Sequence, residues 1–336
     1  MEKVIVTGGA GYIGSKIVAD LIKRNYKVYI IDNLSTGYKF LISKKAIFLK
    51  CNIGNKKKIN NFIKKNKINS VIHCAASLDV NESEKKPRKY YINNFVNTKK
   101  LLEACVENNV KNFIFSSTCA VYGNVSGKVK EKIVPKPISV YGKTKLQCEE
   151  IIHSFATKYK FNYGILRYFN VAGSDIKNKI GCINKNNQLI KNISSSIANN
   201  INEVSVFGIN YRTNDGTCIR DYIHLEDISR IHCKLLKIIS NNKTSYLLNC
   251  GYGIGYSVLE IINNFEKFLK IKLNRTFLPR RKGDMVEVIA STKKINKILK
   301  IKFNSKNKLK KIIVSSVKWE KYLNKLQKYE TNKKSV

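Results

Sequence analysis

Short apolar runs alternate with longer segments of helical periodicity through the first half of the chain. Lys3–Thr7 is rich in β-branched residues and stops at two glycines, which predicts a buried strand. From Tyr12 onward apolar residues recur at helical spacing, which predicts a helix that ends at Asn25. The same analysis predicts strands at 27–31, 46–49, Ser70–His73, 112–116 and 163–167, and helices at 56–65, 89–108 and 141–159. This alternation favours a doubly wound α/β fold, with a parallel sheet covered by helices on both faces.

The regular alternation of strands and helices ends at about residue 170. Residues 178–202 are polar and irregular, and short strand-like pieces then mix with helices at 227–239 and Val258–Leu269. We therefore expect a smaller mixed α/β unit beside the sheet. The predicted division is 1–170 for the first domain, whose sheet we allow to receive later strands, 171–330 for the second domain, and 331–336 for a frayed tail.

The composition is that of an ordinary globular protein. Of 336 residues, 43% are hydrophobic and 26% are charged, which excludes a disordered chain, a collagen-like chain and a disulfide scaffold. No window approaches the roughly 18 consecutive apolar residues that a membrane span needs, and Met1-Glu2-Lys3 leads into the first strand without a secretory signal. The nine cysteines and four histidines show no metal-site spacing, so we expect reduced thiols, a cytoplasmic location, no membrane partner and no metal.

The formal net charge of +40 by itself points to a nucleic-acid partner. Only nine of the 63 basic residues are arginine, however, and the lysines are scattered along the chain beside many asparagines and isoleucines. We interpret the excess as a compositional bias of solvated surfaces and expect no specific nucleic-acid partner, the alternative being a selected role in binding RNA or a membrane. In either case the positive field attracts phosphorylated small molecules.

A glycine motif lies between the first predicted strand and the first predicted helix, at Thr7-Gly8-Gly9-Ala10-Gly11-Tyr12-Ile13-Gly14. In a Rossmann-type fold the first glycine permits a tight turn, the second lets the backbone approach a pyrophosphate, and the third allows close helix–sheet packing. Asp32 ends the next predicted strand, where a carboxylate accepts hydrogen bonds from the adenosine ribose and repels a 2′-phosphate. The pattern predicts a Rossmann-type domain that binds NAD rather than NADP.

Tyr141 and Lys145 are four residues apart on a predicted helix and therefore share one face. The phenol of a free tyrosine has a pKa near 10, but a neighbouring ammonium group and a cationic nicotinamide ring both favour the phenolate. Thr118 ends a strand at the sheet edge where α/β proteins bind ligands. Together with the glycine motif, these three residues predict a catalytic site rather than a solvated helix face.

Longer motifs accompany these residues. They are Asp32-Asn33-Leu34-Ser35, Val71-Ile72-His73-Cys74-Ala75-Ala76, Lys111-Asn112-Phe113-Ile114-Phe115-Ser116-Ser117-Thr118, Val121-Tyr122-Gly123, Leu166-Arg167-Tyr168-Phe169-Asn170, Asp215-Gly216-Thr217, Arg220-Asp221-Tyr222-Ile223-His224 and Pro279-Arg280-Arg281-Lys282-Gly283-Asp284. With them the chain resembles, over nearly its whole length, the extended short-chain dehydrogenase/reductase family, and within it the nucleotide-sugar 4-epimerases. The later motifs are far more specific to these epimerases than the glycine motif is.

The resemblance implies a reaction and a cofactor. With NAD, the protein would interconvert UDP-glucose and UDP-galactose through oxidation at C4, rotation of the 4-keto sugar and reduction on the opposite face. Tyr141 would be the base and acid on the sugar 4-hydroxyl, Lys145 would hold the nicotinamide ribose and tune Tyr141, and Thr118 would bond the same hydroxyl. The first domain would bind NAD and the second the UDP-sugar, and a homodimer would form through the helices at 89–108 and 141–159.

The resemblance also implies two sets of binding residues. Those that contact NAD would be Gly8, Gly11, Tyr12, Ile13, Gly14, Asp32, Asn33, Ser35, Asn52, Ile53, Cys74, Ala75, Ala76, Asn93, Thr118, Tyr141, Lys145 and Phe169. Those that contact the substrate, besides Thr118 and Tyr141, would be Asn170, Asn187, Leu189, Arg220, Arg281 and Asp284.

Some residues depart from the family pattern. Cys51-Asn52-Ile53 stands where the family usually has Gly-Asp-Ile; the amide oxygen of Asn52 still accepts from the adenine amino group, without a charge, so we expect weaker adenine recognition. Gly54 and Asn97 occupy positions where we would predict other residues. Val288, four residues after Asp284, is smaller than a tyrosine, which leaves open whether a 2-N-acetyl sugar is admitted.

Other activities are alternatives to this prediction. Epimerases of UDP-glucuronate or UDP-pentoses are alternatives, because the hexose side of the site is poorly marked. A dehydratase is disfavoured, since Cys119-Ala120 follows Thr118 where that subfamily carries Asp-Glu. A non-catalytic NAD-binding protein would have little need to keep Tyr141, Lys145 and Thr118 together. We interpret Cys74, Cys119, His73 and His224 as buried or structural residues.

Overall fold

The structure, a computed structural model, describes residues 1–177, 179–184, 188–281, 284–301, 303 and 307–334. Its strands, in chain order, are β1 (Lys3–Thr7), β2 (Lys27–Asp32), β3 (Ile47–Lys50), β4 (Ser70–His73), β5 (Asn112–Thr118), β6 (Lys128–Val129), β7 (Asn162–Tyr168), β8 (Asn170–Ala172), β9 (Glu203–Phe207), β10 (Ile219–His224), β11 (Tyr246–Cys250), β12 (Gly255–Ser257), β13 (Asn274–Leu278) and β14 (Glu287–Ala290). Its α-helices are α1 (Tyr12–Lys23), α2 (Lys56–Asn66), α3 (Val80–Lys85), α4 (Pro87–Tyr90), α5 (Asn97–Glu107), α6 (Val140–Tyr159), α7 (Leu189–Ala198), α8 (Leu225–Asn242), α9 (Val258–Leu269), α10 (Lys293–Leu299) and α11 (Lys308–Lys334).

Seven parallel strands form the central sheet, in the order β11–β7–β5–β4–β1–β2–β3. Alternate residues of a strand point to opposite faces, so Val4 and Val6 enter one hydrophobic core while Ile5 enters another. Helices α1 and α8 cover the first face, and α2, α5 and α6 cover the second. The predicted doubly wound Rossmann-type fold is confirmed.

One edge strand of this sheet, β11, comes from the C-terminal half of the chain. It pairs with β7 in parallel, and α8 before it packs on α1. The central sheet therefore takes a strand from beyond residue 170, and the chain leaves the first domain and returns to it.

Most of the rest of the C-terminal half, joined by β6 from the first half of the chain, forms a mixed unit beside the sheet. Strands β12, β10, β14 and β6 make a second sheet, β8 pairs with β10, and β9 and β13 form a separate parallel pair. Strand β8 follows β7 directly and so carries the chain from the central sheet to the second one. The pairing of β10 with β14 sets Arg220 beside Val288.

Three stretches differ from the sequence-based prediction. The helix predicted at 89–108 is interrupted by a π-helical segment, Tyr91–Val96, between α4 and α5. The stretch 178–202, predicted as irregular, contains α7, because Ile190, Ile193 and Ile197 are buried at helical spacing while the asparagines and serines between them obscure the pattern. Helix α11 continues to Lys334, into the predicted tail. None of the described helices is long and apolar enough to cross a membrane.

Candidate active site

The glycine motif forms a tight turn between β1 and α1. Gly8 has a φ of +68°, and a Cβ atom there would lie 2.8 Å from the backbone nitrogen of Ala75. A Cβ atom on Gly14 would lie 2.2 Å from the carbonyl oxygen of Gly8, so only glycine allows the helix to start this close to the strand. Gly11 caps α1 without a side-chain hydrogen bond. The turn therefore leaves backbone N–H groups at a helix start, which is an anion-binding arrangement.

Asp32 ends β2 beside this turn and is 7% exposed. Its Oδ2 accepts a hydrogen bond from the backbone N–H of Ala10 at 3.0 Å, and its Oδ1 accepts one from Leu34 at 2.8 Å. These bonds hold a carboxylate at the edge of the sheet, close to the glycine turn. A dinucleotide with a free ribose hydroxyl pair fits here, whereas a 2′-phosphate would meet a negative charge.

A cavity of about 340 Å³ runs along the carboxyl ends of the central strands. Every residue predicted to contact NAD lines it, together with the predicted substrate residue Asn170: Gly8, Gly11, Tyr12, Ile13, Gly14, Asp32, Asn33, Ser35, Asn52, Ile53, Cys74, Ala75, Ala76, Asn93, Thr118, Tyr141, Lys145 and Phe169. Parallel strands end at one edge of a sheet, which is why motifs scattered over 160 residues of sequence converge on one space.

Tyr141 lies in the first turn of α6, which Ser139 caps by accepting a hydrogen bond from Gly142 at 3.0 Å. Burial raises the pKa of Tyr141 well above its ordinary value, and a hydrogen bond with Thr118 partly opposes this. The Oγ1 of Thr118 also accepts from the backbone N–H of Ala120 at 3.1 Å, which orients the hydroxyl. The phenol is therefore neutral unless a cation stabilises its phenolate.

Lys145 lies one turn further along α6 and lines the same cavity. It is 3% exposed, and its Nζ lies 4.3 Å from the ring centroid of Phe115. Burial lowers the pKa of Lys145, while Cys148, Cys74 and Glu149 raise it. Tyr141 and Lys145 thus line the same cavity from one helix face, as their spacing predicts.

A buried ion pair holds α6, which carries Tyr141 and Lys145, against the central sheet. Arg167 on β7 donates to Glu149 on α6, with Nη2–Oε2 at 2.6 Å and Nε–Oε1 at 3.0 Å, and both side chains are at most 5% exposed. Ser117, next to Thr118, donates to the same carboxylate at 2.5 Å. The pair therefore connects α6 to the strand end that carries Thr118. Glu149 is not among the residues predicted for the site, although it follows Lys145 by one helical turn.

Two further segments contribute lining residues that were not predicted: the first supplies Thr36, Gly37, Tyr38 and Leu41, and the second is 181–184. The Tyr38 hydroxyl donates to Oδ1 of Asn184 at 3.1 Å, and Nδ2 of Asn184 donates to the carbonyl oxygen of Thr36 at 3.4 Å. The first segment follows Asp32 closely in sequence, which is a usable signal. The second offers no local signal, because only the tertiary fold brings it to the cavity.

The remaining predicted substrate residues lie elsewhere. Among the described residues that line the cavity, Leu189, Arg220, Arg281 and Asp284 do not occur, and Asn187 lies outside the described residues. Arg220 pairs with Asp284, with Nη2–Oδ1 at 3.4 Å, and Arg281 lies 3.8 Å above the Phe207 ring. Arg220 is nevertheless close to the cavity, since its charge acts on Cys119, a lining residue.

The surroundings of His73, His224, Cys74 and Cys119 fit structural roles. His73 bonds with Thr7 at 2.6 Å and with Thr98 at 2.8 Å, and burial lowers its pKa to about 3. His224 caps α8, and burial lowers its pKa to about 4. Burial raises the pKa of both Cys74 and Cys119 to about 11, so these thiols are protonated at neutral pH. Within the described ranges no cluster of three potential metal ligands occurs.

Comparison with known proteins agrees with this geometry. Residues 4–251, which include the glycine turn and the Tyr141–Lys145 pair, match the NAD dependent epimerase/dehydratase family. The chain belongs to this family. Membership confirms the resemblance found in the sequence and NAD as the cofactor.

Individual members of the NAD dependent epimerase/dehydratase family are similar over nearly their whole length. The UDP-glucose 4-epimerase of Azospirillum brasilense is 35% identical over 323 residues, covering 96% of this chain and 92% of the relative. The crystal structure of UDP-glucose 4-epimerase from Stenotrophomonas maltophila, with bound NAD and formylated UDP-arabinopyranose, superposes with a TM-score of 0.93 at 31% identity, covering 97% and 100%. The UDP-Glc/GlcNAc 4-epimerase of Campylobacter jejuni superposes with a TM-score of 0.82 at 35% identity, covering 96% and 100%.

Proposed function

We propose that this protein interconverts UDP-glucose and UDP-galactose by NAD-dependent epimerisation at C4. One observation carries the proposal: Thr118, Tyr141 and Lys145 meet in the cavity that also contains the glycine turn and Asp32. A dinucleotide anchored at the turn therefore shares one space with an acid–base pair. The similarity to UDP-glucose 4-epimerases supports this choice of sugar pair.

The chain's own residues supply the proton chemistry. Tyr141 takes the proton of the sugar 4-hydroxyl and later returns it, while Thr118 holds the same oxygen by a hydrogen bond. Because burial raises the pKa of Tyr141, the Lys145 ammonium is needed to stabilise its phenolate. NAD held by the glycine turn and Asp32 would supply the hydride acceptor and donor for C4 of the sugar. The site must hold the nucleotide firmly and the hexose loosely, so that the 4-keto sugar can rotate and present its opposite face between the two hydride transfers.

The assignment of binding residues forms part of the proposal. The lining residues from Gly8 to Phe169 named above would hold NAD, with Asp32 on the adenosine ribose and the glycine turn on the diphosphate. Asn170, Asn187, Leu189, Arg220, Arg281 and Asp284 would hold the UDP part of the substrate. Arginine side chains suit a diphosphate and a carboxylate suits ribose hydroxyls. The first domain would then carry the cofactor, and the mixed unit from 171 to 330 the substrate.

The test is turnover of UDP-galactose without added cofactor, followed by NMR of the sugar nucleotides. We expect UDP-glucose to form, and we expect Tyr141→Phe to lower the rate by about 10²–10⁴-fold, because general acid–base catalysis is lost. Tyr163→Phe is the matched control, since this tyrosine lies outside the cavity. If the wild-type protein stays silent after addition of NAD but converts another UDP-sugar, the sugar assignment is wrong. Full activity of Tyr141→Phe would remove its proposed role.

A second substrate, UDP-N-acetylglucosamine, is favoured by Val288. This residue is 1% exposed and pairs with Arg220 across β10 and β14, so a small side chain stands beside a proposed UDP contact. Val288 does not line the cavity but packs in one buried cluster with Phe169, which does, so a tyrosine would crowd that cluster and narrow the cavity beside Phe169. We expect turnover of UDP-N-acetylglucosamine by the wild-type protein and its selective loss in Val288→Tyr. No turnover of this sugar by a protein that converts UDP-galactose well would reject the idea.

We also propose a cytoplasmic homodimer. Tyr91, Ile92 and Tyr159 are 43–45% exposed on the two helical regions that the resemblance assigns to dimerisation. All nine cysteines are free thiols, which suits a reducing compartment. Light scattering coupled to size-exclusion chromatography tests the dimer, and Ile92→Glu should shift the mass to that of a monomer. A monomeric mass for the wild-type protein would exclude the homodimer.

A further inference from the structure

The purine end of the cofactor site has an unusual polar residue at its wall. Strands β1, β2 and β3 lie side by side in that order, and the glycine turn, Asp32 and Asn52 follow their ends. All three positions line the cavity, while Tyr141 and Lys145 stand on the other side, near β5. A dinucleotide whose nicotinamide reaches Tyr141 and whose ribose meets Asp32 therefore carries its purine towards Asn52.

Hydrogen bonds fix which end of the Asn52 carboxamide faces which partner. Its Oδ1 accepts from the backbone N–H of Gly54 at 2.8 Å, and an N–H group can only donate, so this atom must be oxygen. The same oxygen accepts from Nδ2 of Asn97 at 3.3 Å. Both lone pairs of the oxygen are thereby used. This differs from our expectation that the oxygen would accept from adenine.

Gly54 and Asn97 are coupled in this arrangement. Asn97 is 7% exposed, and a Cβ atom on residue 54 would lie 2.1 Å from its Oδ1. Only glycine at position 54 leaves room for the Asn97 carboxamide that donates to Asn52. The two residues that depart from the family pattern therefore serve one purpose, which is to hold the oxygen of Asn52 inward. Asn52 is exposed and lines the cavity, and because its oxygen is engaged, the NH₂ group is the end of its amide left to meet a ligand there.

A donor at this place recognises purines differently from a carboxylate. A carboxylate accepts from the 6-amino group of adenine and repels a 6-oxo group, whereas an NH₂ group donates either to N1 of adenine or to O6 of hypoxanthine. We propose that Asn52, held by Gly54 and Asn97, makes this chain tolerant of a 6-oxopurine in its dinucleotide. The inference rests on the proposed NAD site and deepens it by naming a determinant of purine specificity.

The experiment measures binding, with turnover as a separate readout. Full-length protein freed of cofactor is titrated calorimetrically with NAD and with nicotinamide hypoxanthine dinucleotide. We expect the two dissociation constants to agree within about threefold for the wild-type protein. For Asn52→Asp we expect a preference for NAD of about tenfold or more, since a charge-assisted bond to the 6-amino group is gained and the 6-oxo group is repelled.

Asn55→Asp is the matched control, because it adds the same charge three residues away, at the exposed cap of α2 and outside the cavity lining. It should change both affinities by the same factor. A wild-type preference for NAD of tenfold or more, or an unchanged ratio in Asn52→Asp, would overturn the inference. Failure of the epimerase assignment looks different: both dinucleotides would bind with the expected ratio while UDP-galactose stays unconverted.

Discussion

The cofactor side and the proposed substrate side of the molecule hold their polar residues in different ways. On the cofactor side Glu149 and Arg167 form an ion pair with side chains 5% and 3% exposed, and Ser117 completes it. On the substrate side Arg220 and Asp284 form a longer pair with side chains 17% and 29% exposed, and Arg281 rests on Phe207. The first side is fixed before any ligand arrives, whereas the second keeps its charges near solvent, where a diphosphate is able to replace their partners. This difference suits tight binding of a cofactor and exchange of a substrate.

We expect the largest effect on stability when each of the two ion pairs is broken in a variant of its own and the two losses are compared. Glu149→Gln leaves Arg167 buried without its counter-charge, so we expect the free energy of unfolding to fall by about 3–5 kcal/mol. Asp284→Asn removes the partner of a partly exposed arginine and should cost less than about 1 kcal/mol. Urea unfolding of both variants measures the contrast. Equal losses would show that the two sides are held equally firmly.

A double-mutant cycle tests the tight packing around Asn52. Gly54→Ala places a methyl group against Asn97, and we expect a loss of about 1–3 kcal/mol in unfolding free energy. In an Asn97→Ala background the same change should be nearly neutral, because the contact is gone. Gly127→Ala is the control: its φ of +76° gives the alanine a backbone cost, but its added Cβ would meet no atom within 4 Å, so this cost should not couple to Asn97. Additive effects of Gly54→Ala and Asn97→Ala would contradict the proposed contact.

A pH dependence, whose effect per pH unit is the smallest of the three, distinguishes the two sheets. Burial lowers the pKa of His232, which contacts Tyr168 at the end of β7 in the central sheet, to about 4. Between pH 6.5 and 4 the unfolded chain therefore binds a proton that the folded chain does not. Stability at neutral pH should therefore fall on acidification, by at most about 1.4 kcal/mol per pH unit from this residue. Asp221 on β10 has the opposite sign: burial raises its pKa to about 7, and its contribution is lost as pH rises through that value.

His232→Asn isolates the first of these contributions. The variant retains a donor for the carbonyl oxygen of Ile228, with which Nδ1 of His232 bonds at 2.9 Å. Chemical unfolding at a series of pH values should give a shallower acid slope than that of the wild-type protein. The same slope in both proteins would mean that folding does not shift the pKa of His232.

The sequence predicted the cofactor side well because its signals are local. The glycine motif, Asp32 and the Tyr141–Lys145 pair each report on one turn, one strand end or one helix face, and the parallel sheet brings all of them to one edge. The substrate side was harder to predict. Arg220 and Asp284 are 64 residues apart and meet only because β10 pairs with β14. Asn184 reaches the cavity through a loop with no pattern of its own.

Buried polar residues that pair with one another were also missed, because their pairing leaves no periodic pattern in the sequence. Glu149 resembles any helical glutamate until Arg167 and Ser117 are seen beside it. Gly54 and Asn97 appeared as two unrelated departures from a family pattern, although they are one contact. Such pairs depend on packing between α5 and the loop before α2, and spacing along the chain carries no information on it.

By itself the sequence determined the fold class and the cofactor, and it predicted which residues meet at the cavity. Each of these depends on short-range geometry: backbone freedom at glycine, side-chain alternation in strands and helical spacing. The tertiary structure alone decided which strand completes the sheet, how Glu149 and Arg167 join α6 to β5 and β7, and which way the Asn52 carboxamide points. The physical reason is that a buried charge or amide is oriented by partners from distant segments, and their distances exist only once the chain has packed.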